Sequence, residues 1–469
     1  MGMLALGLAV ATLVAAPPAP SAPPDPVDAR VAKASRVRDR ASAGNVAWDV
    51  LSSLTTEVGA RPTGSPAMAR AKDWALAKLK ALGFSNVHAE PFTKKNAWLR
   101  GHESLAITAP YAAPLALLGL GNSVPTPAGG VDGDVAVFPS LEALVRAAPS
   151  SLTGKIALVN QPMVPTQSGE GYGIAVRARG AGASIAAAHG AVAFLTRSIA
   201  TGDGRAPHTG AMGYADGIAK IPCAAIGTAD ADLLARLVGQ GATVRLHLEL
   251  ANTVIAEAPA WNVVGEIPGR TKEVVVIGGH LDSWDPAQGA NDDGAGVAIT
   301  VAAARLFSQD KPLRTIRVVL WGSEESGGSG DAYAKAHVDE VPAMALASES
   351  DFGAGHVFRV ALPKGAAADP AFTGLATVLA PLHTFVSSDP ARYGGSDVED
   401  LEGAGVPIIE IDPDGTHYFD IHHSADDTLD KIHRVDLEQG VAVWAALLSF
   451  IADSDVNLRA FDKPAPRVR

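Results

Sequence analysis

At 469 residues the chain is longer than one ordinary domain, and its 47% hydrophobic and 19% charged residues describe a core-forming globular protein rather than a disordered one. A net charge of −12, with no basic run interleaved with aromatics, argues against nucleic acid as a partner. The single cysteine, Cys223, excludes an intrachain disulfide and a cysteine-based metal site, so any metal would rest on His, Asp and Glu.

Residues 1–25 read as a signal peptide and linker. The apolar run from Met3 to Ala16 is too short to span a bilayer comfortably, and small residues and a Pro/Ala/Ser stretch follow it. No Lys or Arg precedes the run, which departs from the usual secretory pattern. The expectation is a secreted or periplasmic protein with no membrane association after signal removal. Residues 26–119 read as the first part of the main domain: helical over 28–58, then a helix that Ser65 can N-cap, with Pro66 at its first position and Gly83 ending it. The stretch VHAEPFTKKNAWLRGHESLAITAP predicts strands with a turn. Residues 120–255 change character, becoming Gly- and Ala-rich with short β runs such as KIALVNQ, AVAFLT and TVRLHLEL and helical patterns at 178–189 and 229–239. This segment is expected to be an inserted β-rich domain. From 256 to 460 the strands EVVVIGG, TIRVVLWG, AMALASES and VPIIEI alternate with helical stretches at 294–308, 328–338 and 433–453. That alternation predicts an α/β domain with a mixed, largely parallel sheet flanked by helices, whose ligand sites lie at the C-terminal ends of strands.

Each of those strand ends carries a potential metal ligand. His280 and Asp282 follow the first strand, with Asp292 and Asp293 beyond them; Glu324 and Glu325 follow the second, Glu349 and Asp351 the third, and His422 and His423 lie past the fourth. Singly, each has a plainer explanation. A lone histidine is usually a hydrogen-bonded structural residue, adjacent acids usually form a solvated turn, and Asp292–Asp293 before an apolar helical run fits an N-cap. Their coincidence at one face is different, because so many carboxylates raise one another's pKa values unless cations neutralise them. No Lys or Arg lies within these motifs, which leaves divalent metal. Imidazoles with carboxylates suit zinc, with manganese or cobalt as alternatives, and more than four ligands around a central Asp suggest two ions sharing a carboxylate. Neighbouring Glu side chains diverge, so one of Glu324 and Glu325 can bind metal while the other acts as general base. Asp282, two residues past His280, can accept the second imidazole N–H on an extended chain. By the same reasoning His422 and His423 cannot both face one metal on an extended strand, and Glu349 could replace Asp351 if its strand ended earlier.

Together, GGHLDSW and GANDDGAG, WGSEESGGSG, SESDFG and HHSADDTLD resemble the M28 zinc peptidases. GARPTGSPAMARAKDW, WLRGHESLAI, PHTGAMGYADGIAKIPCAAI and GGSDVEDLEGAGVP resemble the carboxypeptidase Q (plasma glutamate carboxypeptidase) branch, and the resemblance spans nearly the chain from 45 to 455. It implies the zinc-peptidase fold with 120–255 as a protease-associated (PA) domain. It implies two Zn2+ per chain, held by His280, Asp292 as the shared ligand, Glu325, Asp351 and His423. It makes Glu324 the general base, with Asp282 orienting His280, and expects a cis peptide between Asp292 and Asp293. His422 and Tyr418 become candidates for supporting or oxyanion contacts, and the resemblance points to homodimers.

The implied function is a secreted co-catalytic di-zinc exopeptidase that hydrolyses terminal bonds of short peptides as an aminopeptidase or dipeptidase. In it a metal-bridged hydroxide attacks the carbonyl and Glu324 shuttles the proton. The alternatives are a carboxypeptidase acting on the C-terminal residue, a monozinc acyltransferase of the glutaminyl cyclase type, and a non-catalytic M28-like binding or receptor domain. The complete ligand set argues against the last two. Cys223 reads as packing, and His208 in PHTG as a loop residue that could face the cleft.

Overall fold

The computed structural model describes residues 26–461, so the expected signal segment lies outside the described residues. Local signals set the first elements. Helix Pro66–Ala81 starts where Ser65 Oγ accepts the Met68 N–H at 3.2 Å with Pro66 at its first position, and the chain leaves it through Gly83 at φ +86°.

The strands in chain order are β1 (Ser85–Leu99), β2 (Glu103–Ala109), β3 (Ala113–Leu115), β4 (Leu117–Gly119), β5 (Val131–Phe138), β6 (Lys155–Val159), β7 (Ala193–Arg197), β8 (Cys223–Ile226), β9 (Arg245–Leu250), β10 (Thr253–Ile267), β11 (Val274–His280), β12 (Thr315–Trp321) and β13 (Met344–Glu349). They build two sheets. The main sheet has five strands in the order β1-β10-β12-β11-β13. Its β12, β11 and β13 run parallel, while the long β1–β10 ribbon joins antiparallel. The second sheet has eight strands in the order β3-β2-β9-β5-β6-β7-β8-β4, with β5 to β8 parallel. The α/β class and the β-rich insert pattern follow the sequence reading.

Two boundaries differ from expectation. The second sheet begins at Glu103, upstream of residue 120, because β2 pairs with β9 and buries Leu105 and Ile107 in that sheet's own core. The segment 406–411 does not become a fourth strand of the main sheet. Residues 407–409 lie beside β13, through bonds from Ala347 N–H to Pro407 O (2.9 Å) and Ser348 Oγ–H to Ile409 O (3.0 Å), and then diverge into a separate short strand, Glu410–Pro413.

Burial explains why the parallel strands carry the site. Every residue of β11 is buried, as a strand covered on both faces requires. Helices Ala295–Arg305 and Arg434–Ile451 pack one face, and Trp321, Tyr333 and Leu401 contribute to a core on the other. A side chain at Gly279 would come within 2.6 Å of Val297 N, so only glycine lets the Ala295–Arg305 helix approach the end of β11 this closely. Cys223 is buried in the second sheet, as its packing role predicts. Among the described residues, no helix is long and apolar enough to cross a membrane.

Candidate metal centre

The centre is organised around Asp292. Its Oδ1 lies 3.0 Å from His280 Nε2, and Asp351 Oδ1 lies 3.4 Å from the same nitrogen. Its Oδ2 lies 3.0 Å from His423 Nε2, which is also 3.0 Å from Glu325 Oε2. One carboxylate thus stands between two groups of candidate ligands, His280 with Asp351 and His423 with Glu325. Ligand atoms of His280, Asp292 and Asp351 lie within 4.8 Å of one another, as do those of Asp292, His422 and His423.

The backbone fixes this arrangement from several sides. Asp293 Oδ2 accepts the His280 N–H at 2.9 Å and its Oδ1 accepts the Gly296 N–H at 2.9 Å, so Asp293 is the N-cap-like residue that the sequence allowed for, while Asp292 turns to the histidines. The Asp292–Asp293 peptide is cis. Asp427 accepts from the N–H groups of Asn291 (2.6 Å) and Asp292 (3.2 Å).

Geometry revises two expectations and sets aside one alternative. His280 Nδ1 bonds the backbone carbonyl of Asp282 at 3.0 Å, whereas the Asp282 carboxylate is 3.6 Å away. That carboxylate instead accepts from Thr63 Oγ1 and the Glu324 N–H, each at 2.9 Å, so Asp282 fixes the loop that carries Glu324. The extended-strand argument against neighbouring histidines does not apply: His423 has φ +60°, and its ring stacks on His422 at 3.5 Å between centroids. His422 Nε2 therefore also comes within 3.5 Å of Asp292 Oδ2. Glu349 turns away from the cluster and accepts the Asp397 N–H at 2.9 Å.

The sequence reading found no cation within the motifs, and one comes from outside them. Arg61 is fully buried and donates to the carbonyls of Leu281, Gln288 and Gly289, pinning the loop between His280 and Asp292. Burial lowers its pKa, and the charges of Asp427, Asp282, Asp293 and Asp292 work against that. A single guanidinium does not balance Asp292, Glu325, Asp351, Glu324 and their neighbours. Burial, then the nearby Asp351 and Glu325 carboxylates, hold Glu324 well above the usual carboxylate range. Burial likewise raises Glu325 and Asp351.

A divalent cation fits these residues. The Nδ1 atoms of His280 and His423 face backbone carbonyls, Asp282 O and Thr209 O (3.3 Å), which only accept, so each Nδ1 carries a proton and Nε2 is the nitrogen left to bind an ion. Each Nε2 faces carboxylate oxygens at 3.0 Å. Burial disfavours the charged rings, but those carboxylates outweigh it and hold both histidines well above the ordinary imidazole range; a divalent ion bound here would take the place of the two Nε2 protons. Asp292 Oδ2 and Glu325 Oε1 are moreover buried without a hydrogen-bond partner.

The second sheet borders the centre. Tyr172, on helix Gly171–Ala188, stacks on Phe419 at 4.9 Å and meets His422 edge-on at 5.4 Å. Tyr418, expected near the site, packs on Phe352 and His422. His208 is buried against His422, and burial holds it at about 4, hence neutral. A small pocket, with a cavity volume of about 10 Å³, opens between Trp284, Pro286, Asp292, Glu325 and His423. Sequence reasoning missed Tyr393, whose hydroxyl burial and the Asp351 charge keep protonated. Its position beside the quoted GGSDVED motif was the available signal.

Comparison with known proteins gives the lineage. The profile of peptidase family M28 matches residues 262–448. Carboxypeptidase Q of Mus musculus is 36% identical over 429 residues, covering 88% of this chain and 87% of the mouse protein. The chain belongs to peptidase family M28. A solved M28 peptidase precursor from Shewanella amazonensis is 40% identical, covers 94% of this M28 chain and 100% of its own, and superposes with a TM-score of 0.89. A zinc aminopeptidase of Bacillus subtilis, at 17% identity, 88% and 97% coverage and a TM-score of 0.62, shares the fold. The family resemblance carried by the motifs and the α/β fold it implied are both met.

Proposed function

We propose that this M28 chain is a co-catalytic zinc exopeptidase of short peptides, an aminopeptidase or dipeptidase. His280 and Asp351 would hold one ion, His423 and Glu325 the other, and Asp292 would be shared. The observation that carries the reading is Asp292 itself, with one oxygen 3.0 Å from His280 Nε2 and the other 3.0 Å from His423 Nε2. Zinc bound there supplies Lewis acidity to the scissile carbonyl and lowers the pKa of water.

The remaining work falls to side chains. Glu324, its backbone N–H held by Asp282, takes the proton of the attacking water and passes it to the leaving amine. A carboxyl raised by burial and by Asp351 suits this exchange, since its proton affinity moves toward that of the groups it serves. Asp293 and Asp427 keep His280 and Asp292 in place while charge moves. The β-rich unit is read as a PA domain and the leader as a secretory signal, which makes the enzyme secreted or periplasmic.

The test is metal analysis with kinetics. Purified protein should contain about two zinc ions per chain. His280→Ala and His423→Ala should each lose metal, and Asp292→Ala should lose both ions and activity. An active Asp292→Ala protein would sink the two-ion reading. A second reading, removal of the C-terminal residue, is favoured by the name of the mouse relative. Activity on N-acetylated dipeptides, with none on dipeptide amides, would select it.

A further inference from the structure

Resting on the two-ion reading, we infer that the second sheet is a working part of the metal centre: Thr209, in the loop between β7 and β8, is a positioning residue for His423. Two backbone bonds join them. The Thr209 N–H donates to His423 O at 2.9 Å, and His423 Nδ1 donates to Thr209 O at 3.3 Å. The second bond fixes the tautomer and aims Nε2 at Asp292 and Glu325. The first helps hold His423 at φ +60°, a left-handed conformation that a histidine rarely adopts.

Thr209 is itself held by its side chain. It is 1% exposed; its Oγ1 donates to Gly119 O at 2.7 Å and accepts from Arg100 Nη2 at 3.2 Å. Arg100 lies in the strap between β1 and β2. The same guanidinium donates to Asp285 Oδ2 at 2.7 Å, in the loop that follows His280, and to Glu103 of β2 at 2.9 Å. Arg179, from helix Gly171–Ala188, donates to Thr209 O at 3.2 Å. His280 has no such dependence, because its Nδ1 acceptor, Asp282 O, belongs to its own loop. The two histidines therefore differ: His423 takes its Nδ1 acceptor from the second sheet, and His280 takes its own from the loop that follows it.

The experiment is a zinc titration of the full-length protein against a chromophoric chelator, with cobalt(II) absorption as a second readout. His423→Ala marks which ion belongs to that half. Thr209→Val should weaken that ion about 10–100-fold and perturb its cobalt spectrum, leaving the other ion unchanged. Thr209→Ser, which restores the hydroxyl, should recover it. Arg100→Met, which removes the Arg100 bond to Gly119 O at 2.9 Å but spares the Thr209 Oγ1 bond to the same carbonyl, should give a smaller loss at the same ion. The melting temperature of the apo-protein reads the fold separately. Equal weakening of both ions, or wild-type affinity in Thr209→Val, overturns the inference. A wild type holding only one ion would instead overturn the two-ion reading, and is visible before any variant is compared.

Discussion

Asp427 holds Asp292 by its backbone: the Asp427 carboxylate accepts the Asn291 N–H at 2.6 Å and the Asp292 N–H at 3.2 Å, both buried. These bonds set the height at which the shared carboxylate stands between the two histidines. Removing them leaves two buried N–H groups unpaired and frees the loop to shift. Asp427→Ala should weaken zinc about 10–100-fold, read by competition with a chelator. Because Asp292 faces both ligand groups, both ions should weaken together. Loss of a single ion would show that Asp427 acts on one half only.

Glu324 and Glu325 are adjacent yet differently placed. Glu325 Oε2 is 3.0 Å from His423 Nε2, whereas Glu324 is tied to Asp282 through its backbone. Glu324→Gln should keep the metal content and lose activity by roughly 10²–10⁴-fold. Glu325→Gln should lower zinc affinity first. The measurements are metal analysis and kcat under saturating zinc, and reversed phenotypes would exchange the two roles.

The legibility of this site divides by atom type. The candidate ligands His280, Asp292, Glu325, Asp351 and His423 sit in short motifs at strand ends that can be read directly, although the choice of Asp351 over Glu349 and of His423 over His422 came from the family resemblance. Their supports are harder to see. Asp282 O and Thr209 O are backbone acceptors that any residue provides, so no residue type marks them. Arg61 reaches the Gly289 carbonyl from far away in sequence, and only the packing of the first helices against the Ala295–Arg305 helix brings it there. The stacking of His422 on His423 depends on one backbone angle, which an extended-strand argument could not supply. Strands β11, β12 and β13 were legible from continuous apolar runs, whereas β10 was not read as a strand, because its first half, TVIAEAP, is largely exposed and carries Pro259. The short strand at Glu410–Pro413 was misplaced because a run such as VPIIEI satisfies a sheet core and a sheet margin equally well.

Away from the centre, His337 bridges Glu90 at 2.9 Å and Glu340 at 3.1 Å. Burial disfavours its charge, but Glu90 and then Glu340 raise its pKa above the ordinary value. A histidine whose folded pKa exceeds its unfolded value of about 6.5 contributes stability that is complete below that value and is lost as pH rises through the folded pKa. His337→Gln should therefore be least stable relative to wild type near pH 5.5, and the gap should close toward pH 9. Denaturant unfolding of both proteins across that range checks it. A gap that widens with pH would mean that His337 acts as a neutral hydrogen-bond partner.

A two-metal centre open on all sides would cleave chains internally, so an exopeptidase needs a wall. The second sheet is inserted between β1 and β10 of the main sheet, and so is tethered to it at both ends. Its Tyr172 lies against His422 and Phe419, and its Thr209 against His423, directly beside the candidate ligands. We propose that this unit closes one end of the cleft and leaves room only for the terminal residues of a short peptide. Hydrolysis of a dipeptide, its N-acetylated analogue and a folded protein should be measured side by side. A free-amine-reading exopeptidase cleaves the first and leaves the others intact. Equal cleavage of the acetylated peptide would remove the amine requirement and favour a carboxypeptidase. Internal cuts in the protein would mean that the second sheet does not close the cleft, whatever it does for His423.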